Sequence, residues 1–141
     1  IYIFKGAKDL KEGFSYDIQV NQIYDFYGLK EIKDFNILKE NSSFKNYKDL
    51  FLDGSKIDIF DFKYENEVIT NLKGFITKGN LQINGGKTIK LFAKDKNILP
   101  KDGSTIEILN AQLGSYRGNM QIIFHTKDDY KELKWAKKAD C

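Results

Sequence analysis

The stretch "FYGLKEI" at residues 26–32 recurs, loosely, as "YRGNMQI" at residues 116–122. Both run aromatic, one residue, Gly, two residues, Glu or Gln, Ile. A glycine two positions after an aromatic, with apolar alternation on both sides, is the pattern of a tight hairpin turn that needs positive φ. Extending the two stretches in step brings Gly13 over Gly103, Asp17 over Glu107, Ile18 over Ile108, Gln22 over Gln112 and Ile23 over Leu113. Upstream, a two-residue insertion in the later copy sets "IYIF" (1–4) over "IKLF" (89–92). Glycines, apolar phase and turn positions agree together, which is the signature of one small β-unit used twice.

Each copy has the same order of parts. A short strand, "IYIF" or "TIKLFA", leads into a polar loop ending in Gly. A longer alternating strand follows, "FSYDIQVNQIYDF" or "STIEILNAQLGSY", with Tyr16, Ile18 and Val20 on one face of the first and Ile106 and Ile108 on the matching face of the second. The turn at Gly28 or Gly118 then returns the chain into "LKEIKDF" or "NMQIIF". The later copy is preceded by "NLKGFITKGNLQINGG", which reads as two further strands with glycine turns, completing five. The earlier copy lacks them. We therefore expect an all-β chain with minor helix: small, OB-like five-stranded barrels in tandem, the first truncated. The division expected is 1–66, a partial unit with a connecting helix and strand, and 67–141, a barrel with a helical tail. The connecting helix is "FKNYKDLF" (44–51) capped by Ser43, the extra strand is "KIDIFDF" (56–62), and the tail helix runs through Tyr130, Leu133 and Ala136.

The chain of 141 residues carries a formal charge of +3, from 23 basic and 20 acidic residues. That balance permits contact with a polyanion without demanding it. Arg117 is the single arginine, so a bidentate guanidinium fork is available at one place only. The lysine, isoleucine and asparagine content suits an AT-rich genome as well as any function. No apolar run reaches the length of a membrane span. A start directly on "IYIF", without Met or signal peptide, leads us to expect a piece of a longer protein. Cys141, the lone cysteine, forms no intrachain disulfide and says little about compartment.

The strand, lysine-rich loop, Glu-Gly or Asp-Gly, alternating strand and aromatic-x-Gly-Leu-x-x-Ile resemble the OB-fold nucleic-acid-binding modules attached to bacterial secreted or surface nucleases of the endonuclease/exonuclease/phosphatase type. Residues 12–32 are similar to the segment of those modules that ends Tyr-Tyr-Gly-Leu-Thr-Glu/Gln-Ile, and residues 102–122 more loosely so, with Asn119-Met120 at the Leu-Thr positions. The resemblance spans about two-thirds of the chain and leaves 36–68 and the tail aside. It implies an extracellular or cell-surface bacterial protein, with any nuclease domain elsewhere in the same protein.

No reaction is legible. His125 is alone and reads as a strand-end surface residue, so no nucleophile–His or zinc arrangement assembles. Asp53, Asp58 and Asp61 miss the calcium-loop spacing and read as a polar turn. "INGGKT" (83–88) lacks the leading Gly and following helix of a phosphate loop and reads as a hairpin. A thermonuclease-type mechanism needs two arginines where this chain has Arg117 alone. We expect no catalytic residues, metal or cofactor.

What remains is a binding surface. Single-stranded DNA or RNA requires rings for stacking and cations along the backbone. The candidates are Tyr27, Lys30, Lys73, Lys78, Lys87, Lys90, Tyr116 and Arg117, with Tyr2, Lys5 and Tyr24 as further members of the first unit. Phe75 and Phe92 are also available, although the core is the commoner place for such rings. A non-catalytic module for single-stranded nucleic acid is the first expectation. The alternative is a structural, protein- or glycan-interaction module, since OB barrels serve all these ends.

Overall fold

In the computed structural model, residues 2–3, 7–43 and 46–133 are described. The strands in chain order are β1 (Tyr2–Ile3), β2 (Phe14–Phe26), β3 (Leu29–Ser43), β4 (Leu52–Asp53), β5 (Val68–Thr70), β6 (Leu72–Thr77), β7 (Asn80–Gln82), β8 (Thr88–Phe92), β9 (Thr105–Ile108), β10 (Ala111–Tyr116), β11 (Asn119–Ile123) and β12 (Tyr130–Glu132). Among the described residues the only helical pieces are short 3-10 turns. The chain is all-β.

The strands form two sheets, β1-β3-β2 and β12-β9-β6-β7-β8-β11-β10-β5-β4. Within the larger sheet, β6, β7 and β8 form an antiparallel meander. β8 then pairs parallel with β11, and β11 antiparallel with β10. β9, two residues before β10, pairs back onto β6. The ladders thus begin and end on one bent stretch, 105–116, the strand order of an OB-like, partly open barrel. The sequence pattern treats 105–116 as one strand. It bends because Leu109 and Asn110 both turn their N–H groups onto the carbonyl of Asp129, releasing them from the ladder. Gly74 lies where β6 crosses β7: a Cβ there would stand 2.6 Å from the Gln82 carbonyl oxygen, so no other residue fits without movement.

Ile69, Ile76, Leu81, Ile106, Ile108, Leu113 and Ile122 fill the interior with no solvent exposure. Each contributes roughly 1.5–3 kcal/mol of burial. Ile59 joins this core from the segment that the sequence reading assigns to the first unit, with Leu52, Phe60 and Tyr64 packed around it.

The small sheet repeats part of the barrel. Tyr2 stands opposite Glu31 and Ile3 opposite Ile32 across β1 and β3. Lys90 stands opposite Gln121 and Leu91 opposite Ile122 across β8 and β11. These are the positions that the sequence alignment superimposes, parallel in both cases. Its hairpin, however, runs on far past "LKEIKDF", with register shifts along β2, to end at Ser43.

Several local expectations are corrected. The segment expected as a helix at 44–51 holds a single 3-10 turn, Tyr47–Leu50, and Phe51 is already extended; residues 44–45 lie outside the described residues. So short a segment has too few hydrogen bonds to offset helix nucleation. "KIDIFDF" is a chain of turns, because Asp58 and Asp61 take the amides of Phe60 and Lys63 that a ladder would use. Tyr130–Glu132, expected in the tail helix, is a strand against β9. Tyr130 donates its hydroxyl to the Ile98 carbonyl at 2.7 Å and its ring lies 4.9 Å from Phe124, so tertiary contacts override the local helical spacing. The rest of the tail lies outside the described residues. Phe75 and Phe92, expected in the core, are exposed, since alternation puts Ile76 and Leu91 inside instead.

Candidate functional site

A groove of about 880 Å³ runs between the small sheet and the outer face of β8, β11 and β10. Strand alternation decides its lining. On β3, Leu29, Glu31 and Lys33 share the groove face; on β8 it is Lys90 and Phe92, followed by Lys94. On β10 and β11 the groove face carries Gln112, Tyr116, Gln121 and Ile123, with His125 just beyond the strand end. Tyr2, Tyr24 and Phe26 complete the wall from the small sheet.

Aromatic rings gather at both ends of the groove. Tyr2 and His125 lie with planes 13° apart and centroids separated by 6.0 Å. At the other end, the two hairpin tips that the sequence alignment superimposes meet. Tyr27 packs edge-on to Tyr116 at 5.0 Å and to Phe26 at 4.9 Å. Arg117 lays its guanidinium over both tyrosines, 4.9 Å from Tyr27 and 5.2 Å from Tyr116. That arrangement holds the tips together through cation–π attraction while the edge of the guanidinium stays available to an anion.

The polar groups divide into occupied and unoccupied. Gln112 donates to Asn66 Oδ1 at 3.0 Å, and its own oxygen lies 2.9 Å from His125 Nε2. Glu31 and Gln121 are each more than nine-tenths buried, yet among the described residues neither side chain has a hydrogen-bond or ion-pair partner. Among the described residues no fully enclosed side-chain oxygen or nitrogen lacks a partner, so the free atoms of these two open into the groove. Burial pushes the Glu31 carboxyl above its ordinary value. It also pushes the Tyr2 phenol up, helped by the Glu31 charge alongside. Lys33, Lys90 and Lys94 form no ion pair among the described residues; Lys33 sits 5.2 Å over the Tyr24 ring.

Of the residues singled out from sequence, Lys90 and Tyr116 line the groove and Tyr27 and Arg117 form its rim. Tyr2 and Tyr24 belong to the wall, and Lys5 lies outside the described residues. Lys30 is turned to Asp25 at 2.7 Å, and that bond, with the Gly28 N–H, holds the Asp25 carboxyl below the usual range. Lys73 faces Glu107 across β6 and β9, Lys78 sits in the β6–β7 turn, and Lys87 lies over the Phe60 ring at 5.5 Å. None of these four lines the groove. Sequence reasoning passed over Glu31, Gln121 and Lys33. Their signal was present: Glu31 and Gln121 are aligned in the two similar stretches 26–32 and 116–122, one residue before the shared isoleucine.

Comparison with protein-family models, curated proteins and solved structures returns no match.

Proposed function

We propose that the chain is a non-catalytic, OB-like binding module for single-stranded nucleic acid, working within a larger secreted or surface bacterial protein beside a nuclease domain. One observation carries this reading: a groove walled by aromatic rings, edged by three lysines that form no ion pair among the described residues, and closed at one end by the Tyr27–Tyr116–Arg117 cluster. Exposed rings offer stacking surfaces to bases of any sequence, and cations along the rim follow the phosphates. Matching registers of β1–β3 and β8–β11 support the view that the two hairpins are copies of one unit. The groove then lies between copies, on the face of the third, fifth and fourth strands rather than the second and third that OB barrels commonly use.

The test is anisotropy of a fluorescent single-stranded DNA oligomer across salt concentrations. Engagement of Lys33, Lys90, Lys94 and Arg117 gives a log–log salt slope of about −3. Replacing Tyr116 and Arg117 by Ala should weaken binding at least about ten-fold. No binding at low salt would overturn the proposal. It would favour instead the protein- or glycan-interaction reading, for which the acidic floor at Glu31 speaks.

A further inference from the structure

We infer that the groove selects guanine, with Glu31 as the specificity-determining acceptor; this rests on the single-strand reading above. The observation is a pair of polar side chains, one on each wall, that have no hydrogen-bond or ion-pair partner among the described residues. Glu31 is 7 % exposed and Gln121 8 %, and both open free atoms into a groove whose rings and aliphatic carbon are interrupted by Lys33, Lys90, Lys94, Gln112 and His125. The Glu31 oxygens take no hydrogen bond from the described residues and open into the groove, where a ligand can supply the donors.

The donors it can accept are restricted by chemistry. A carboxylate offers two acceptor oxygens and no donor. Adenine and cytosine each set a ring-nitrogen acceptor beside their amino group, and thymine flanks its one N–H with two carbonyls, so each sets a repelling lone pair against the second oxygen. Guanine alone places two donors side by side, N1–H and the N2 amino group, which match both oxygens in a fork. Gln121, with an amide that donates as well as accepts, suits the guanine O6 or N7 acceptors. The exposed Phe92 ring and the Tyr2–His125 pair supply faces for the base to stack on. The flanking phosphates then fall to Lys33, Lys90 and Lys94.

The test compares thymidine oligomers that carry one central guanine, inosine, adenine or cytosine, by anisotropy at fixed salt. Inosine keeps N1–H and loses only the N2 amino group. We expect the guanine oligomer to bind about ten-fold tighter than the inosine one. In E31Q that ratio should fall below about three-fold, with the inosine oligomer also bound more weakly because its N1–H loses the carboxylate, and an unchanged far-UV circular dichroism spectrum reports an intact fold. Equal affinities across the series overturn guanine selection and leave the single-strand reading standing. Absence of binding to every oligomer overturns both, and the free carboxylate would then point to a cationic protein partner. A guanine preference that survives E31Q unchanged overturns the role of Glu31.

Discussion

Glu31 sits on β3 with its carboxyl raised by burial and with no positive group against it among the described residues. A carboxyl raised on folding binds its proton more tightly in the native state than in the unfolded chain. As pH rises from its unfolded value through its folded one, the native state therefore loses stability relative to the unfolded. E31Q removes that loss. We expect the variant to melt about 2 °C above the parent chain at pH 7, with the gap closing below about pH 4, where the carboxyl is protonated folded or unfolded. Thermal melts of the two proteins over pH 4–7 read this directly. Their difference cancels every group they share, including His125 and the groove lysines. An E31Q protein that melts lower at pH 7 would mean that Glu31 makes a stabilising contact. A residue retained at a cost to stability is what a binding role predicts. The sequence reading assigns this residue no role. Its burial follows from the small sheet lying against β10, a long-range packing that no local pattern encodes; Leu29 on the same face comes within 3.7 Å of where a Cβ on Gly114 would stand.

At the scale of elements, the hairpins explain what was legible. Tyr27-Gly28, Lys78-Gly79 and Arg117-Gly118 all have positive φ at both residues, as two-residue turns matched to strand twist require. Glycine at the second position with apolar alternation on both sides is a local code, from which the turns at Gly28 and Gly118 are readable; the sequence reading puts the third at Gly79-Asn80, one residue late. The bend in 105–116 and the strand at 130–132 were not readable, because each depends on a partner distant in sequence: Asp129 for the bend, the free edge of β9 for the strand. The turns also invite a substitution. A lysine at φ 51 carries a Cβ strain that asparagine tolerates better. Lys78→Asn should stabilise the chain by about 0.5 kcal/mol, seen as a rise in the urea midpoint without change in slope. Because Lys78 is outside the groove, oligomer affinity should stay within about two-fold of the parent, a distinction from Arg117 at the equivalent turn position.

Across the whole molecule, stability is unevenly distributed. The larger sheet wraps around an apolar core, whereas the far half of the β2–β3 ribbon is two strands with little beneath them. There Leu38 is 65 % exposed, and Val20 and Ile37 are exposed as well. A two-stranded ribbon is marginal by itself, and its register shifts weaken it further. The near half differs: Leu29 and Ile32 are buried, β1 pairs alongside, and the tip is tied to the barrel through Tyr27 and Tyr116. Hydrogen exchange should therefore separate three levels. Amides of β9, β10 and β11 should exchange slowest, those of Leu29–Lys33 at an intermediate rate, and those of 14–20 and 35–43 at least about a hundred-fold faster than the barrel. Uniform protection would mean that the exposed apolar residues of the ribbon are covered in solution, by self-association or otherwise. The middle level is the one that bears on function, since it forms one wall of the groove while the slow barrel forms the other. A ligand held between a rigid wall and a looser one must fix the looser one in order to bind. Guanine-bearing oligomer should accordingly slow exchange at Leu29–Lys33 and leave the far ribbon unchanged.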